Sequence, residues 1–427
     1  MKKTLIAVAA AAALTATSAF AEITFGAWLR VLASPVASTG EDIIAGVQNS
    51  WGWGARTARI NINGTSEDGK AGFVMGVYND FESGLGQGDD AYLWVKPVDT
   101  VKVSVGKFDS PTNGLRGDFT YGSWNWLRPG NWVYDGEGLT FDGIWRSGLM
   151  VEADPMDGLH AFAVIPMSSS YKSAEEVYRN IQVGFGYAIE GVGKLKAQFI
   201  GDYSYSTKNT VTKSYELDTT KEVATTKEVK TTVTGKKDKD ATTGQIGVAF
   251  DITAIENLYV TVGARFGIAD KDVVAITRDD HNYLKMAFTA GASYQVSETM
   301  KFSVDGGYKQ FQNKFNADDD SLFSVGAGVD FTVMDGLAAV ADVRYMSNMY
   351  GKAGDEGAIS FLVGVNKSVS SNGSLGIGFQ GATNGCGFTW DDGKAGIISG
   401  KSFTAGEANG DSDQFVWAIP VSVSVWF

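Results

Sequence analysis

Residues 415–427, FVWAIPVSVSVWF, alternate between two kinds of side chain. Every odd position, from Phe415 through Trp417 to Phe427, is large and apolar, whereas the even positions are on the whole smaller and mixed. Because a β-strand places successive residues on opposite faces, this stretch predicts a strand with one apolar face and one more polar face. Such a strand suits a boundary between lipid and water, and the closing strand of a soluble β-sandwich is the alternative.

The aromatic residue that closes this stretch carries a resemblance. A strand of this pattern ending on Phe427 resembles the C-terminal strand of bacterial outer-membrane β-barrels. In that family the terminal aromatic is recognised by the barrel-assembly machinery. The resemblance therefore implies that Phe427 is an assembly signal, that the machinery is a partner, and that outer-membrane lipid surrounds the protein.

The other end of the chain predicts export. Lys2 and Lys3 precede an apolar run from Leu5 to Leu14, and Ala19, Phe20 and Ala21 form an Ala-x-Ala cleavage site. This arrangement is typical of a secretory signal peptide over residues 1–21, which leaves 22–427 as a single domain. No later stretch has the roughly 18 uninterrupted apolar residues that a transmembrane helix requires. We expect the protein in the bacterial cell outer membrane.

Charge and composition narrow the function classes. The net charge of −13 becomes −15 once the two signal lysines are removed, and so acidic a chain is a poor binder of nucleic acid. The chain has 53 glycines and 7 prolines, and its mean hydropathy of −0.07 is what alternating strands produce when only one face is apolar. Cys386 is the only cysteine, so no disulfide can form within the chain.

Short turn-forming connections set the strand count. Each is flanked by two alternating stretches. They lie at 64–69, 97–100, 154–158, 190–193, 254–257, 297–299, 334–336 and 370–373. Eight hairpins give sixteen strands, and an opening strand at 22–33 and the closing strand raise the count to eighteen, with sixteen as the alternative. The sequence thus predicts an all-β fold, a transmembrane antiparallel β-barrel with long extracellular loops and short periplasmic turns.

The inward face of the predicted strands carries charge. Alternation places ten charged residues on the inward face as pore-lining candidates: Arg30, Arg59, Lys102, Arg146, Lys196, Arg265, Lys301, Asp305, Asp342 and Arg344. Any one of them can be an ordinary solvated wall residue. As a group they argue against a dry interior, because buried charges need partners or water.

Two long connections stand out. Residues 109–138 are rich in aromatic rings that a water-exposed loop would not normally display. The loop in this ordinal position folds inward and narrows the pore in porins, and the resemblance implies the same for 109–138. The residues expected at the constriction are Arg116, Asp118, Trp124, Trp126, Trp132, Tyr134, Asp135 and Glu137.

The connection 207–240 holds eight lysines and six acidic residues, with a near repeat of KEV. Its spacing fits either a hairpin that rises above the membrane or a mobile tip.

These features predict a porin, a water-filled channel for passive diffusion of small hydrophilic solutes and ions across the outer membrane. Two alternatives stay open: a sugar-selective channel similar to maltoporin, and a surface adhesin or antigen anchored by its barrel. An enzyme is not expected, because His160 and His281 are far apart and neither belongs to a nucleophile motif. We expect neither cofactor nor metal, and a homotrimer is the assembly that porins of this size often adopt.

Overall fold

A computed structural model provides the fold. It describes residues 22–38, 43–48, 58–79, 85–110, 115, 144–168, 174–218, 225–269, 284–311, 321–347, 357–383, 390–391, 394–395 and 415–427. The predicted signal peptide lies outside these residues, as do all eight constriction residues named above.

Strands make up nearly all of the described chain, as the alternation predicts. In chain order they are β1 (Glu22–Ser38), β2 (Ile43–Gln48), β3 (Ala58–Thr65), β4 (Ala71–Asn79), β5 (Leu85–Val98), β6 (Val101–Ser110), β7 (Ile144–Met156), β8 (Leu159–Pro166), β9 (Gln182–Ile189), β10 (Gly193–Asp218), β11 (Thr225–Ile252), β12 (Leu258–Ala269), β13 (Leu284–Ser297), β14 (Met300–Phe311), β15 (Ser321–Met334), β16 (Leu337–Met346), β17 (Ala358–Ser370), β18 (Gly373–Ala382), β19 (Trp390–Asp391), β20 (Lys394–Ala395) and β21 (Val416–Trp426). One short helix, α1 (Ala174–Tyr178), lies between β8 and β9. Among the described residues, no helix has the length and apolar character needed to cross a membrane.

Eighteen strand positions close into an antiparallel barrel, as predicted. From β3 to β18 each strand pairs with its chain neighbour. β2 and β3 share one position, since β2 pairs with the upper part of β1 from Leu32 and β3 pairs with its lower part up to Leu29. The second barrel strand is therefore split in two, and part of the connection expected at 34–53 is strand.

The eight predicted hairpin turns all connect neighbouring strands at one end of the barrel. Gly69 and Asn257 adopt positive φ angles of 66° and 63° in two of them, a conformation that glycine and asparagine tolerate best. In the β3–β4 turn the Ser66 hydroxyl and the Lys70 N–H donate to the Asp68 carboxylate, and these hydrogen bonds lower the pKa of Asp68. Local hydrogen bonding of this kind fixes the register of the hairpins.

The closing strand joins the two ends of the sheet. β21 pairs with β18 on one side and with β1 on the other, where Trp28 lies opposite Trp426. At the rim the Phe427 N–H donates to the Ala27 carbonyl at 2.7 Å, and the Ala27 N–H donates to the Phe427 carbonyl at 3.0 Å. The strand predicted first from sequence is thus the seam of the barrel.

β10 and β11 are much longer than the other strands, at 26 and 28 residues. β9 accompanies β10 only as far as Ile200, and β12 accompanies β11 only from Thr243. Beyond those points β10 and β11 pair only with each other, up to Asp218 opposite Thr225. They form a two-stranded ribbon roughly 55 Å long at about 3.3 Å per residue. Of the two alternatives for 207–240, the structure has the hairpin.

Deleting Phe427 should reduce the folded yield several-fold, because it removes both hydrogen bonds with Ala27 together with the terminal ring. The Phe427→Ala variant, which keeps the main chain and removes the ring, separates the two contributions. The measurement is the fraction of membrane-inserted chain that resists unfolding in cold SDS and runs as folded barrel on a gel. A deletion variant with the wild-type folded fraction would contradict this prediction.

Candidate functional site

The two faces of the barrel wall have opposite character. On β10, Lys196 and Gln198 are buried on the inward face, while Leu195 on the outward face is exposed. The same alternation runs through β13 to β18, where the exposed large side chains are mostly apolar and the buried side chains are mostly polar. A soluble protein has the reverse distribution, so the wall is built to face an apolar medium outside and polar groups inside.

Arg344 forms the most complete ion pair of the inner wall. Its guanidinium donates two hydrogen bonds to the Asp305 carboxylate, at 2.8 and 2.6 Å, and one to the Ser324 hydroxyl at 3.0 Å. Asp305 lies on β14 and Arg344 on β16, so the side chain must cross β15. It passes over Gly326, where an added Cβ would lie 2.5 Å from Nη2. The missing side chain of this glycine therefore creates the space for a bidentate pair.

Arg59 repeats the arrangement on the opposite side of the seam. From β3 it reaches over β4 to the Asp90 carboxylate of β5 at 3.1 Å, and it donates to the Tyr78 hydroxyl at 3.0 Å. Gly76 lies beneath it, and an added Cβ there would come within 3.3 Å of the guanidinium. Two arginines thus brace the wall over glycines, each linking three neighbouring strands.

Two lysines pair with carboxylates on the adjacent strand. Lys102 on β6 lies directly opposite Glu152 on β7, with 2.9 Å between the charged atoms. Lys196 on β10 contacts Asp251 on β11 at 2.6 Å, and the hydroxyl of Thr261 donates to the same carboxylate at 2.8 Å. Because each cation has a carboxylate within hydrogen-bond distance, these parts of the wall carry strong local dipoles and little net charge.

Arg146 binds main-chain carbonyl groups. Its guanidinium donates to the carbonyls of Asn180 and Gly201, both at 2.8 Å. This ties β7 to the connection that contains α1 and to the point where the β10–β11 ribbon leaves the barrel. The Asn180 side chain in turn donates to the Glu176 carbonyl at 2.7 Å. Arg146, a predicted pore-lining residue, is thus hydrogen-bonded to the main chain at the end of the barrel opposite the short turns.

One sector of the inner wall is apolar. Phe108, Met150, Phe162 and Val164 on β6, β7 and β8 form a buried cluster, and Leu115 packs on it with no exposed surface. Leu115 lies five residues beyond β6, within the predicted constriction loop. Its side chain occupies the space above Gly184 and Gly186 of β9, where added Cβ atoms would lie 2.7 and 3.1 Å from it. The first described residue after β6 is therefore inside the barrel.

Several buried polar atoms of the inner wall have no hydrogen-bond partner among the residues that the structure describes. They lie on β6, β9, β10, β14 and β17. They are the hydroxyls of Ser104, Ser303 and Ser360, the Nε2 of Gln182, and both amide atoms of Gln198. A buried polar group left without a partner costs about 1–3 kcal/mol, so each of these positions favours a polar partner.

The other predicted wall residues are placed as follows. Arg265 and Asp342 are buried on the inward faces of β12 and β16, and Lys301 lies on β14 opposite Asp330. Arg30 lies on β1 opposite Ser424, and its side chain is not among those described. Alternation alone missed Asp90 and Asp251 as partners, although both fall on inward positions of their strands. It also gave no signal for Gly76, Gly326 or Leu115, whose roles depend on non-adjacent strands.

The potential metal ligands of the described residues are scattered. The described part of the chain contains no cluster of three or more His, Cys, Asp or Glu side chains that could hold a metal ion. His160 lies beside the β7–β8 turn, with its Nδ1 2.8 Å from the Asp154 carboxylate. His281 lies outside the described residues.

Comparisons with known proteins find solved structures with a similar arrangement of strands. No protein-family model and no curated protein matches the chain. Among solved structures it aligns with an anion-selective porin from Comamonas acidovorans at 13% identity and a TM-score of 0.46, covering 95% of this chain and 99% of that one. A mutant of the Rh. blastica porin aligns at 15% identity and a TM-score of 0.43, covering 95% and 100%. OmpT, an outer-membrane protein of Vibrio cholerae, aligns at 13% identity and a TM-score of 0.42, covering 95% and 97%. The barrel assignment depends on the strand pairing of this chain itself.

Replacing Gly326 by Ala should destabilise the barrel by about 1–3 kcal/mol, because the new methyl group displaces Arg344 from Asp305. The matched control is Gly306→Ala on β14, where an added Cβ meets only the Ser324 carbonyl at an ordinary 3.5 Å. The measurement is the free energy of unfolding in urea, with the protein in lipid vesicles. Equal stability of the two variants would show that the bidentate pair contributes nothing.

Proposed function

We propose that the protein is a porin of the bacterial outer membrane, which forms a water-filled channel for passive diffusion of small hydrophilic solutes and ions. The observation that carries the proposal is the polar and charged inner face of the closed barrel, which includes Lys196 and Gln198 on β10 and Arg344 on β16. A packed apolar interior would have to pair every such group within the protein, whereas water can satisfy those that the wall does not pair. Such a channel acts without a catalytic step.

The outward face supports a membrane location. Large apolar side chains such as Phe302 on β14, Val325 on β15 and Ile377 on β18 are about half exposed. So much apolar surface is unfavourable in water and favourable in hydrocarbon. Closure at the β21–β1 seam leaves no barrel strand with an unpaired edge exposed to lipid. A sheet must meet this condition to cross a membrane.

Loop 109–138 is proposed as the constriction. Leu115 supports this, because its contact with Phe162 and Gly184 fixes the start of the loop against the inner wall. The apolar sector beneath Leu115 gives the loop a hydrophobic anchor that the charged sectors of the wall do not offer.

The wall charges suggest how solutes are sorted. Four of the predicted cations have a carboxylate partner, so the described wall favours polar solutes through its dipoles more than it selects by net charge. Selectivity between cations and anions would then depend on charged loop residues such as Arg116, Asp118 and Asp135. A transverse field between these groups and the wall would reject apolar solutes.

The β10–β11 ribbon favours a second candidate function. It extends far beyond the neighbouring strands and places lysines and acidic residues well away from the barrel. This is the geometry of a surface-recognition element, so an adhesin or antigen anchored by a barrel is the competing proposal. Sugar selectivity is a narrower version of the channel proposal, with Trp124, Trp126, Trp132 and Tyr134 offering stacking surfaces.

Purified protein in planar lipid bilayers should produce stable conductance steps. The same protein, shown to be folded by its resistance to cold SDS, serves as the control for insertion. Maltooligosaccharides added to the same bilayer distinguish general from sugar-selective diffusion, because only a sugar-binding channel is blocked at low concentration. A folded, inserted protein that stays silent would contradict the channel and favour the anchor.

Replacing Arg116, Asp118 and Asp135 together by Ala should increase single-channel conductance and change the ratio of cation to anion permeability. The reason is that the variant shortens three side chains at the proposed constriction and removes two negative charges and one positive charge. The control is the triple variant Lys213, Glu216 and Asp218 to Ala, which removes the same charges from the distant ribbon. Unchanged conductance and selectivity in the loop variant would disprove the constriction.

A further inference from the structure

Two aromatic side chains of β5 lie on the inner wall near the short turns. Leu93 and Val95 are exposed on the outward face, so alternation places Tyr92 and Trp94 on the inward face, where both are half-buried. The Trp94 ring lies against the main chain of β4 at Gly72, where an added Cβ would be 2.5 Å from Cζ2. Because this position has no side chain, the ring can lie on the wall with one face towards the lumen.

Each of these two rings has a lysine beside it. The Lys102 Nζ is 5.8 Å from the centre of the Tyr92 ring, and the Lys96 Nζ is 5.9 Å from the centre of the Trp94 ring. Both distances are within the range of a cation–π interaction, which keeps the ammonium groups close to the rings. Lys102 is neutralised by Glu152 at 2.9 Å, whereas Lys96 has no carboxylate partner among the described residues. These groups therefore leave one net positive charge beside the rings.

A buried hydroxyl lies next to the Trp94 ring. Ser104 is directly opposite Trp94 in the β5–β6 ladder, and its Oγ is buried with no hydrogen-bond partner among the described residues. An unpaired buried hydroxyl is unfavourable, so an oxygen atom bound beside the ring would stabilise this position. Five side chains thus form one aromatic patch on the inner wall: Tyr92, Trp94, Lys96, Lys102 and Ser104.

The aromatic patch lies between the anchor of the proposed constriction and the short turns. Tyr92 packs against the apolar cluster that holds Leu115, and its ring centre is 5.3 Å from that of Phe108. Trp94 is two residues nearer to the turn at 97–100, about 7 Å further along the wall. A solute that has passed the constriction therefore meets Tyr92 first and Trp94 next.

We infer that the aromatic patch is a binding site for small aromatic carboxylates, of which benzoate is the simplest. The planar ring of the solute stacks on Trp94, and its carboxylate accepts a charge-assisted hydrogen bond from the Lys96 ammonium. A monoanion matches the single net charge of the patch. The inference rests on the proposed channel function, because it names the class of solute that the channel would bind on the side of the short turns.

The surroundings of the patch favour an aromatic acid over a sugar. A sugar needs several hydrogen-bonding groups around its ring, and a neutral sugar gains nothing from the charge of Lys96. Phe108 borders the patch beside Tyr92, and Met150 lies directly opposite Ser104 on β7. Apolar neighbours of this kind suit the edge of an aromatic ring and leave the hydroxyls of a sugar without partners.

The test measures benzoate binding to the full-length folded protein in detergent by isothermal titration calorimetry, which does not require conduction. Acetate supplies the carboxylate without the ring, benzyl alcohol supplies the ring without the charge, and glucose represents neutral sugars. Trp94→Leu removes the stacking ring, and Lys96→Gln removes the charge. The matched controls are Phe302→Leu, on the outward face of β14, and Lys285→Gln, at an exposed position of β13. Resistance to cold SDS shows that each variant is folded.

Benzoate should bind about tenfold more tightly than acetate, benzyl alcohol or glucose. Its affinity should fall about fivefold in Trp94→Leu and about tenfold in Lys96→Gln, and should stay at the wild-type value in both controls. If Trp94→Leu does not fold, Lys96→Gln and the three comparison solutes still decide the outcome.

Wild-type affinity in a folded site variant, an equal loss in a control variant, or equal binding of any comparison solute would each overturn the inference. A folded protein that conducts in planar bilayers and does not bind benzoate would also overturn it, and would leave the channel proposal intact. A protein that binds benzoate with the expected variant pattern and stays silent in bilayers would support the site and contradict the channel.

Discussion

Closure of the main-chain hydrogen-bond network is the constraint on which the rest of the structure depends. A sheet in hydrocarbon cannot leave N–H and C=O groups unpaired, because each would cost several kcal/mol. The β21–β1 pairing meets this requirement, down to the reciprocal hydrogen bonds of Phe427 and Ala27 at the rim. Once the ring is closed, alternation along every strand separates an outer apolar face from an inner polar one.

Charged side chains on the inner face need partners of opposite charge, and glycines in the wall leave the space through which they reach them. A charge projecting from a strand of a closed sheet can reach across one neighbour only if that neighbour lacks a side chain at the crossing point. Gly326 and Gly76 provide such points, so that Arg344 and Arg59 each span three strands. Arginine suits this role because its planar fork can hold a carboxylate with two hydrogen bonds while its stem lies flat on the wall.

The sequence predicts the parts of this structure that depend on local order. Strand alternation and turn chemistry are properties of neighbours along the chain, and they gave the eighteen strand positions, the eight short turns and the inward parity of residues such as Lys196. They could not give the pairing of Arg344 with Asp305, since that depends on the register of three strands together. They also could not place Leu115 against Gly184, because contacts across the barrel interior follow from closure and not from any local pattern.

The inner wall is asymmetric around its circumference. The apolar sector that holds Leu115 lies on β6 to β9, whereas the charged pairs of Arg59, Lys196 and Arg344 lie on other strands. Those three cations each contact a carboxylate, so they could bind a loop only by giving up that partner. An apolar side chain has no such competitor, and the packing of Leu115 over Gly184 leaves it with no exposed surface. A loop that must start from a fixed point is therefore best attached to the apolar sector, because close packing there holds its first residues without disturbing the charge pairs of the wall.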